Sequence, residues 1–125
     1  MFKKFLITLL FISFSLLPAF SVDLDSLLNR YERVFIYFYT SNCGYCDKFN
    51  PIYDKITSAF DGKNCKFIKI DAENPNNMKI MMELGAFYVP YVIMLDNKNK
   101  QAKSVVPKCL LNYACTKDAV DKFVN

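Results

Sequence analysis

Residues 34–49 read VFIYFYTSNCGYCDKF, an apolar run followed closely by two cysteines that are separated by two residues. The run Val34–Tyr39 is continuously β-branched or aromatic, which is typical of a strand buried on both faces of a sheet. After the cysteines, Asp47–Phe60 carries apolar residues at helical spacing. The sequence therefore predicts that Cys43 and Cys46 lie at a strand-to-helix junction.

This position has chemical consequences for the two thiols. The first turn of a helix leaves backbone N–H groups unpaired and carries the positive end of the helix dipole, so it stabilises a thiolate. We expect the pKa of Cys43 to be lowered, and Cys46 to face the sheet and be less exposed. Exchange would then form a mixed disulfide at Cys43, which Cys46 resolves. Both residues are predicted to be catalytic.

Two other uses of the cysteines are open. A zinc site could combine Cys43 and Cys46 with Cys109 and Cys115, but the second spacing is loose and the chain has no histidine. A purely structural Cys43–Cys46 disulfide is disfavoured because the loop it closes is very short. We expect redox chemistry carried by the cysteines alone, with no cofactor and no bound metal.

The N-terminus has the pattern of a secretory signal. Two lysines precede an apolar run from Phe5 to Leu17, which is followed by Pro18 and by small residues at Ala19 and Ser21 with a phenylalanine between them. This predicts a signal peptide at residues 1–21, cleaved after Ser21, and one domain at residues 22–125. The alternative is a retained membrane anchor, although the apolar run is shorter than the roughly 20 residues that span a bilayer.

Charge and cysteine content define the surroundings that we expect. Removing two lysines and no acids lowers the formal charge from +4 to +2, and the remaining basic residues are scattered, which argues against a nucleic-acid partner. All five cysteines lie after the leader. Disulfides persist in an oxidising compartment. We therefore expect a secreted, periplasmic protein whose cysteines form disulfides.

The rest of the chain predicts an α/β fold in which a mixed central sheet of about four strands is covered by helices on both faces. Strands separated by helices favour parallel pairing, and a polar turn at residues 96–100 favours an antiparallel hairpin. The predicted elements are, in order, helix Asp23–Arg33, strand Val34–Tyr39, helix Asp47–Phe60, strand Lys66–Asp71, helix Pro75–Leu84, strands Val89–Leu95 and Gln101–Val106, and helix Lys117–Val124 capped by Thr116.

Three features together resemble the thioredoxin family, and within it the exported bacterial thiol-disulfide oxidoreductases of the Dsb type. They are the strand that leads into Cys43–Cys46, Pro51 five residues further on, and Val89-Pro90 at the start of a later strand. The resemblance implies a thioredoxin fold in which Pro51 kinks the active-site helix. It also implies that the Val89–Pro90 bond is cis and lies against the dithiol, where the Val89 backbone can pair with a client segment.

The dipeptide between the cysteines refines this resemblance. Gly44-Tyr45 is typical of the periplasmic disulfide isomerases, and it borders the thiolate. We therefore expect Gly44, Tyr45, Val89 and Pro90 to form the substrate-binding surface. Reduction or isomerisation of disulfides is favoured over oxidation.

The chain departs from thioredoxin beneath the dithiol. Where thioredoxins have a buried aspartate this chain has Tyr37, and where they have its lysine partner the resemblance places Phe67. The predicted result is an apolar pair in place of a buried ion pair, which removes the usual proton acceptor for Cys46. Because tyrosine titrates near pH 10, Tyr37 would not act as a base at neutral pH.

Three cysteines remain. Cys109 and Cys115 lie between the last strand and the last helix, and we expect a second disulfide between them, with a relay to Cys43 as the sharper hypothesis. Cys65 is expected to be a buried, inert thiol.

The resemblance implies partners as well. They are exported cysteine-containing client proteins and a membrane redox partner, and the chain itself is expected to be a monomer. The alternatives are a metal-handling module and a non-catalytic binding module on the same fold.

Overall fold

The computed structural model describes Ser26 and residues 29–125. The predicted signal peptide at residues 1–21 lies outside the described residues, as does much of the predicted helix Asp23–Arg33, of which Ser26, Asn29 and Arg30 are helical. In the described part of the chain, every helix is too short or too polar to cross a bilayer.

The described residues form one mixed sheet with helices. The elements are β1 (Arg33–Tyr39), α1 (Gly44–Ala59), β2 (Lys66–Asp71), α2 (Pro75–Glu83), β3 (Tyr91–Asp96), β4 (Gln101–Ser104), α3 (Pro107–Leu110) and α4 (Tyr113–Val124). The strand order is β2-β1-β3-β4. β1 pairs in parallel with β2 and antiparallel with β3, which pairs antiparallel with β4. This is the thioredoxin fold, and the predicted fold class is confirmed.

β1 runs through the centre of the molecule because both of its faces are apolar. Residues Val34–Phe38 are fully buried. Phe35 and Tyr37 pack into one core cluster with α1 and α4, while Ile36 and Phe38 pack into a second cluster with α2 on the other face. Burial on two faces explains why the strand shows a continuous apolar run rather than alternation.

The start of α1 is set by Cys43, which has extended backbone and forms the N-cap. The helix therefore begins at Gly44, three residues before the predicted start. Pro51 lies inside it, and the helix continues to Ala59.

The C-terminal third differs most from the prediction. β3 begins at Tyr91, after Val89 and Pro90. β4 ends at Ser104, and the unpredicted short helix α3 follows.

The predicted cap of the last helix is wrong. Asn112 caps α4 through a hydrogen bond from the Cys115 N–H, so the helix begins at Tyr113. Thr116 is instead buried inside α4, where its hydroxyl donates to the Cys109 carbonyl oxygen over 2.9 Å. Asparagine and threonine are both good N-caps, and the tertiary contact of Thr116 decided between the two positions.

Candidate active site

The two cysteines at the head of α1 are joined in a disulfide, with their Cα atoms 5.2 Å apart. Cys43 is half-buried, whereas Cys46 is only 1% exposed. The Cys43 Sγ accepts a hydrogen bond from the Cys46 N–H over 3.1 Å. The outer sulfur therefore sits where the backbone already supplies a donor, and the inner sulfur lies behind it.

This geometry determines which of the two sulfurs can react with an external thiol or disulfide. An N-H donor and the N-terminal end of a sixteen-residue helix both favour negative charge on Cys43 after reduction. Burial disfavours the thiolate of Cys46 and keeps it from external reagents. The arrangement can therefore carry two-step thiol-disulfide exchange with Cys43 outside and Cys46 inside.

The loop before Cys43 is fixed by a carboxylate that the sequence analysis did not identify. Glu73 Oε1 accepts hydrogen bonds from the Ser41 N–H over 2.8 Å and from the Ser41 hydroxyl. These bonds lower the pKa of Glu73. A signal was available, since Glu73 follows β2 and Ser41 follows β1, and the carboxyl ends of neighbouring parallel strands share one edge of a sheet.

Beneath the dithiol, Tyr37 is fully buried and its hydroxyl is satisfied. It donates to Asn50 Oδ1 over 2.8 Å and lies 3.3 Å from the Cys46 carbonyl oxygen. Burial raises the pKa of Tyr37, and the nearby charge of Asp47 raises it further. The hydroxyl therefore stays protonated and links β1 to α1.

The structure does not place Phe67 directly opposite Tyr37. Phe67 lies opposite Phe35 in the parallel register, and their ring centroids are 5.1 Å apart. The residue opposite Tyr37 is Lys69, whose Nζ lies 5.6 Å from the Tyr37 ring centroid and 4.5 Å from that of Tyr39. A cation is therefore present beside Tyr37, but it is exposed and contacts aromatic rings rather than a carboxylate.

A mostly apolar groove of about 330 Å³ lies next to Tyr45, the residue before Cys46. We call it the client groove; it is lined by Tyr45, Tyr88, Val89, Pro90, Pro107, Lys108 and Leu111. The Val89–Pro90 peptide bond is cis, as the resemblance implied. Three of the four predicted substrate-binding residues thus line one groove, whereas Gly44 is exposed at the start of α1 and does not line it.

The structure joins Cys109 to Cys115 in a second disulfide, with the Cα atoms 5.3 Å apart. Cys65 is free, and it is half-buried rather than buried as predicted. Burial raises its pKa to about 11, so the thiol is protonated near neutral pH. In the described range 29–125, no three His, Cys, Asp or Glu side chains are grouped so that they could hold a metal ion.

The fold and the dithiol together define a thioredoxin-like thiol-disulfide oxidoreductase. The thioredoxin family model matches residues 19–112, and the chain belongs to this family. It is 30% identical over 88 residues to a thioredoxin of Mycoplasmoides gallisepticum, a match that covers 69% of this chain and 84% of the relative.

A second relative is larger. A protein disulfide-isomerase of Schizosaccharomyces pombe is 29% identical over 91 residues, which cover 67% of this chain but only 25% of that protein.

Solved structures agree on the fold. A mutant thioredoxin from Halobacterium salinarum superposes with a TM-score of 0.67 at 21% identity, covering 84% of this chain and 86% of its own. The thioredoxin pre-protein of Schistosoma mansoni gives a TM-score of 0.65 at 24% identity, covering 82% and 90%.

Proposed function

We propose that this protein is exported to the periplasm, where it exchanges disulfides with exported client proteins, acting as a reductase or an isomerase. The observation that carries the exchange chemistry is the position of Cys43 Sγ at the N-cap of α1, with Cys46 buried behind it. The leader pattern at residues 1–21 supports export. The Gly44-Tyr45 dipeptide supports reduction or isomerisation over oxidation.

The exchange proceeds in two steps from the reduced protein. The Cys43 thiolate attacks one sulfur of a client disulfide, forming a mixed disulfide and releasing the other client sulfur as a thiolate. Cys46 then loses its proton and attacks the Cys43 sulfur, which releases the second client thiolate. Two electrons have moved to the client, and the Cys43–Cys46 disulfide remains. In isomerisation another client thiolate instead attacks the client sulfur of the mixed disulfide, which forms a different client disulfide and releases the Cys43 thiolate.

The client groove would hold the segment that carries the client sulfur. Tyr45 and Tyr88 are 61% and 49% exposed, so they offer apolar area without rearranging the core. Val89 precedes β3 and is not part of its ladder, so its backbone can pair with an extended segment. Lys108 supplies the one charge in this lining.

Turnover as a reductase requires that the Cys43–Cys46 disulfide be reduced again. Because the periplasm is an oxidising compartment, we propose that a membrane redox partner supplies these electrons.

The exchange chemistry is tested by trapping it on an insulin substrate. Cys46→Ser should accumulate a mixed disulfide between Cys43 and insulin, because the resolving step is blocked, whereas Cys43→Ser should form none. Cys65→Ser is the matched control and should reduce insulin at the rate of the unmodified protein. Equal insulin reduction by Cys43→Ser would refute the proposed role of the dithiol and favour a non-catalytic binding function.

Export is tested separately by expressing the full chain in a bacterium with a periplasm. We expect the mature protein in the periplasmic fraction, with Val22 as its first residue. A full-length chain that stays with the membrane would favour the anchor alternative.

A further inference from the structure

The Cys109–Cys115 disulfide lies outside the dithiol site and has its own surroundings. Cys109 is 8% exposed and belongs to the core cluster that contains Phe35 and Tyr37, whereas Cys115 is exposed. Both cysteines line a second pocket, of about 250 Å³, between β4 and α4. One sulfur of this bridge is therefore held by the core, while the other belongs to a residue that solvent reaches.

The positions of the two cysteines differ in the charge that they favour. Cys115 is the third residue of the twelve-residue helix α4, and Asn112 caps that helix by accepting the Cys115 N–H. The first turn of a helix stabilises a thiolate. The lining of the pocket beside the bridge also includes the cationic side chain of Lys103, next to the ion pair of Lys122 Nζ with Asp118 Oδ2 at 2.9 Å. Released Cys115 would thus be stabilised as a thiolate.

The bridge also holds one wall of the client groove. Pro107, Lys108 and Leu111 line that groove, and Cys109 lies among them in sequence but lines the second pocket. The two pockets share no lining residue in the described part of the chain, so α3 separates them. α3 has only four residues and its N-cap, Val106, makes no side-chain hydrogen bond. A helix this short is not stable by itself and depends on tertiary contacts and on the Cys109–Cys115 disulfide.

We infer that Cys109–Cys115 is a second thiol-disulfide exchange site, attacked at Cys115, whose opening loosens the α3 wall of the client groove. The reductant is a protein dithiol of the CxxC type. One of its thiolates attacks the Cys115 sulfur, which forms a mixed disulfide and releases Cys109 as a thiolate that takes a proton from water. The second thiol of the reductant then attacks its own bonded sulfur and releases Cys115. Two electrons pass to the bridge, and the reductant keeps the disulfide.

The two disulfides of the chain would then exchange with different reaction partners. Because Cys115 is exposed and neither cysteine of the bridge lines the client groove, we expect a second protein, rather than Cys43 of the same chain, to react with the bridge, in contrast to the intramolecular relay predicted from sequence. The exchange site stands on its own, and only its effect on clients rests on the proposed function.

The site of attack can be mapped in the full chain with Cys43→Ser and Cys46→Ser, which leaves the bridge as its one disulfide. Glutathione serves as a monothiol probe because it stalls at the mixed disulfide, and dithiothreitol serves as the dithiol probe. After iodoacetamide trapping, peptide mapping should find glutathione on Cys115 and alkylated Cys109, and dithiothreitol should free both. Glutathione on Cys109 would overturn the inference. So would a bridge that opens only in guanidinium.

The effect on the groove wall can be followed in the same variant by amide hydrogen exchange, with and without dithiothreitol. The Leu110 and Asn112 amides donate within the α3 segment, to the carbonyls of Val106 and Cys109. We expect their exchange to rise by about tenfold or more when the bridge opens, while Val92 in β3 changes by less than about twofold. Unchanged exchange at Leu110 and Asn112 would overturn the inference, as would an equal rise in β3.

A second variant guards against effects of the reductant. Cys109→Ser with Cys115→Ser should reproduce the faster exchange without dithiothreitol, and Cys65→Ser should not. None of these measurements depends on client chemistry. A failure to reduce insulin would therefore count against the proposed function alone. A Cys109–Cys115 disulfide that dithiothreitol does not open would count against the second exchange site alone.

Discussion

Removing the hydroxyl of Tyr37 should weaken the fold and leave the redox chemistry intact. The side chain is fully buried, and its hydroxyl donates to Asn50 Oδ1 over 2.8 Å, with the Cys46 carbonyl oxygen at 3.3 Å. Tyr37→Phe keeps the ring and its edge-to-face contact with Phe49, whose centroid lies 4.7 Å away. The substitution therefore isolates the contribution of one hydrogen-bonded oxygen.

The expected loss follows from that single group. A net intramolecular hydrogen bond contributes about 1 kcal/mol, and the half-buried Asn50 can recover a partner from water, so the full penalty of a buried orphan does not apply. We expect the free energy of unfolding to fall by about 1 kcal/mol and Tm by about 4 °C. Since burial raises the pKa of Tyr37, the hydroxyl is not a base at neutral pH, and insulin reduction should change by less than about twofold.

Urea denaturation measures the expected loss of stability, and an insulin reduction assay near pH 7 measures the expected retention of activity. Tyr53→Phe is the matched control, because Tyr53 packs in the same cluster, with its ring centroid 5.2 Å from that of Tyr37. The Tyr53 hydroxyl has no hydrogen-bond partner among residues 29–125, so its removal should cost less stability. A loss of activity of about 100-fold or more in Tyr37→Phe, with stability preserved, would assign Tyr37 to proton transfer and refute this reasoning.

Three further outcomes are expected. Tyr45→Ala should raise the KM for insulin about fivefold, which corresponds to about 1 kcal/mol, because the exposed ring lines the client groove. The free energy of unfolding should change by less than about 0.5 kcal/mol. An unchanged KM would show that Tyr45 does not contribute to client binding. In an NMR pH series, the Ser41 amide resonance should shift only as pH falls below the ordinary glutamate pKa. The bonds from Ser41 lower the pKa of Glu73 and persist until that carboxylate is protonated. Glu73→Gln should abolish this titration. Cys65 should resist iodoacetamide at about pH 8 and react only as pH approaches its raised pKa of about 11, and fast labelling at neutral pH, measured by mass spectrometry, would contradict its burial.

Local pattern was sufficient to predict the central part of the fold. The buried run at Val34–Tyr39 has a single interpretation because few soluble contexts other than a central strand tolerate six consecutive apolar residues. The strand at Lys66–Asp71 was predicted to the residue, and the helix at Pro75 ends one residue before its predicted end. These elements carry their own start and stop signals.

Tertiary contacts decided the parts that local pattern missed. α3 has four residues, too few for a periodic signal, and is held by Leu110 in the core, by the bond from Thr116 to the Cys109 carbonyl and by the Cys109–Cys115 disulfide. Glu73 was not identified as a site residue because its partner, Ser41, is 32 positions away. The parallel pairing of β1 with β2 brings the two residues together at one edge of the sheet, so the signal lay in the strand pairing and not in a local motif.

Beneath the dithiol, Tyr37 stands where the resemblance to thioredoxins implies a buried aspartate, and this difference has to be interpreted together with the residues around it. An ion pair at this depth would require two desolvated charges, and removal of one partner would leave the other unpaired. This chain instead buries the neutral hydroxyl of Tyr37, satisfied by Asn50, and keeps the Lys69 ammonium exposed against the Tyr39 ring. Since the group beneath Cys46 keeps its own proton, the proton of Cys46 has to leave toward the client side, to water or to the departing client thiolate. Resolution of the mixed disulfide would then depend on the client that occupies the groove.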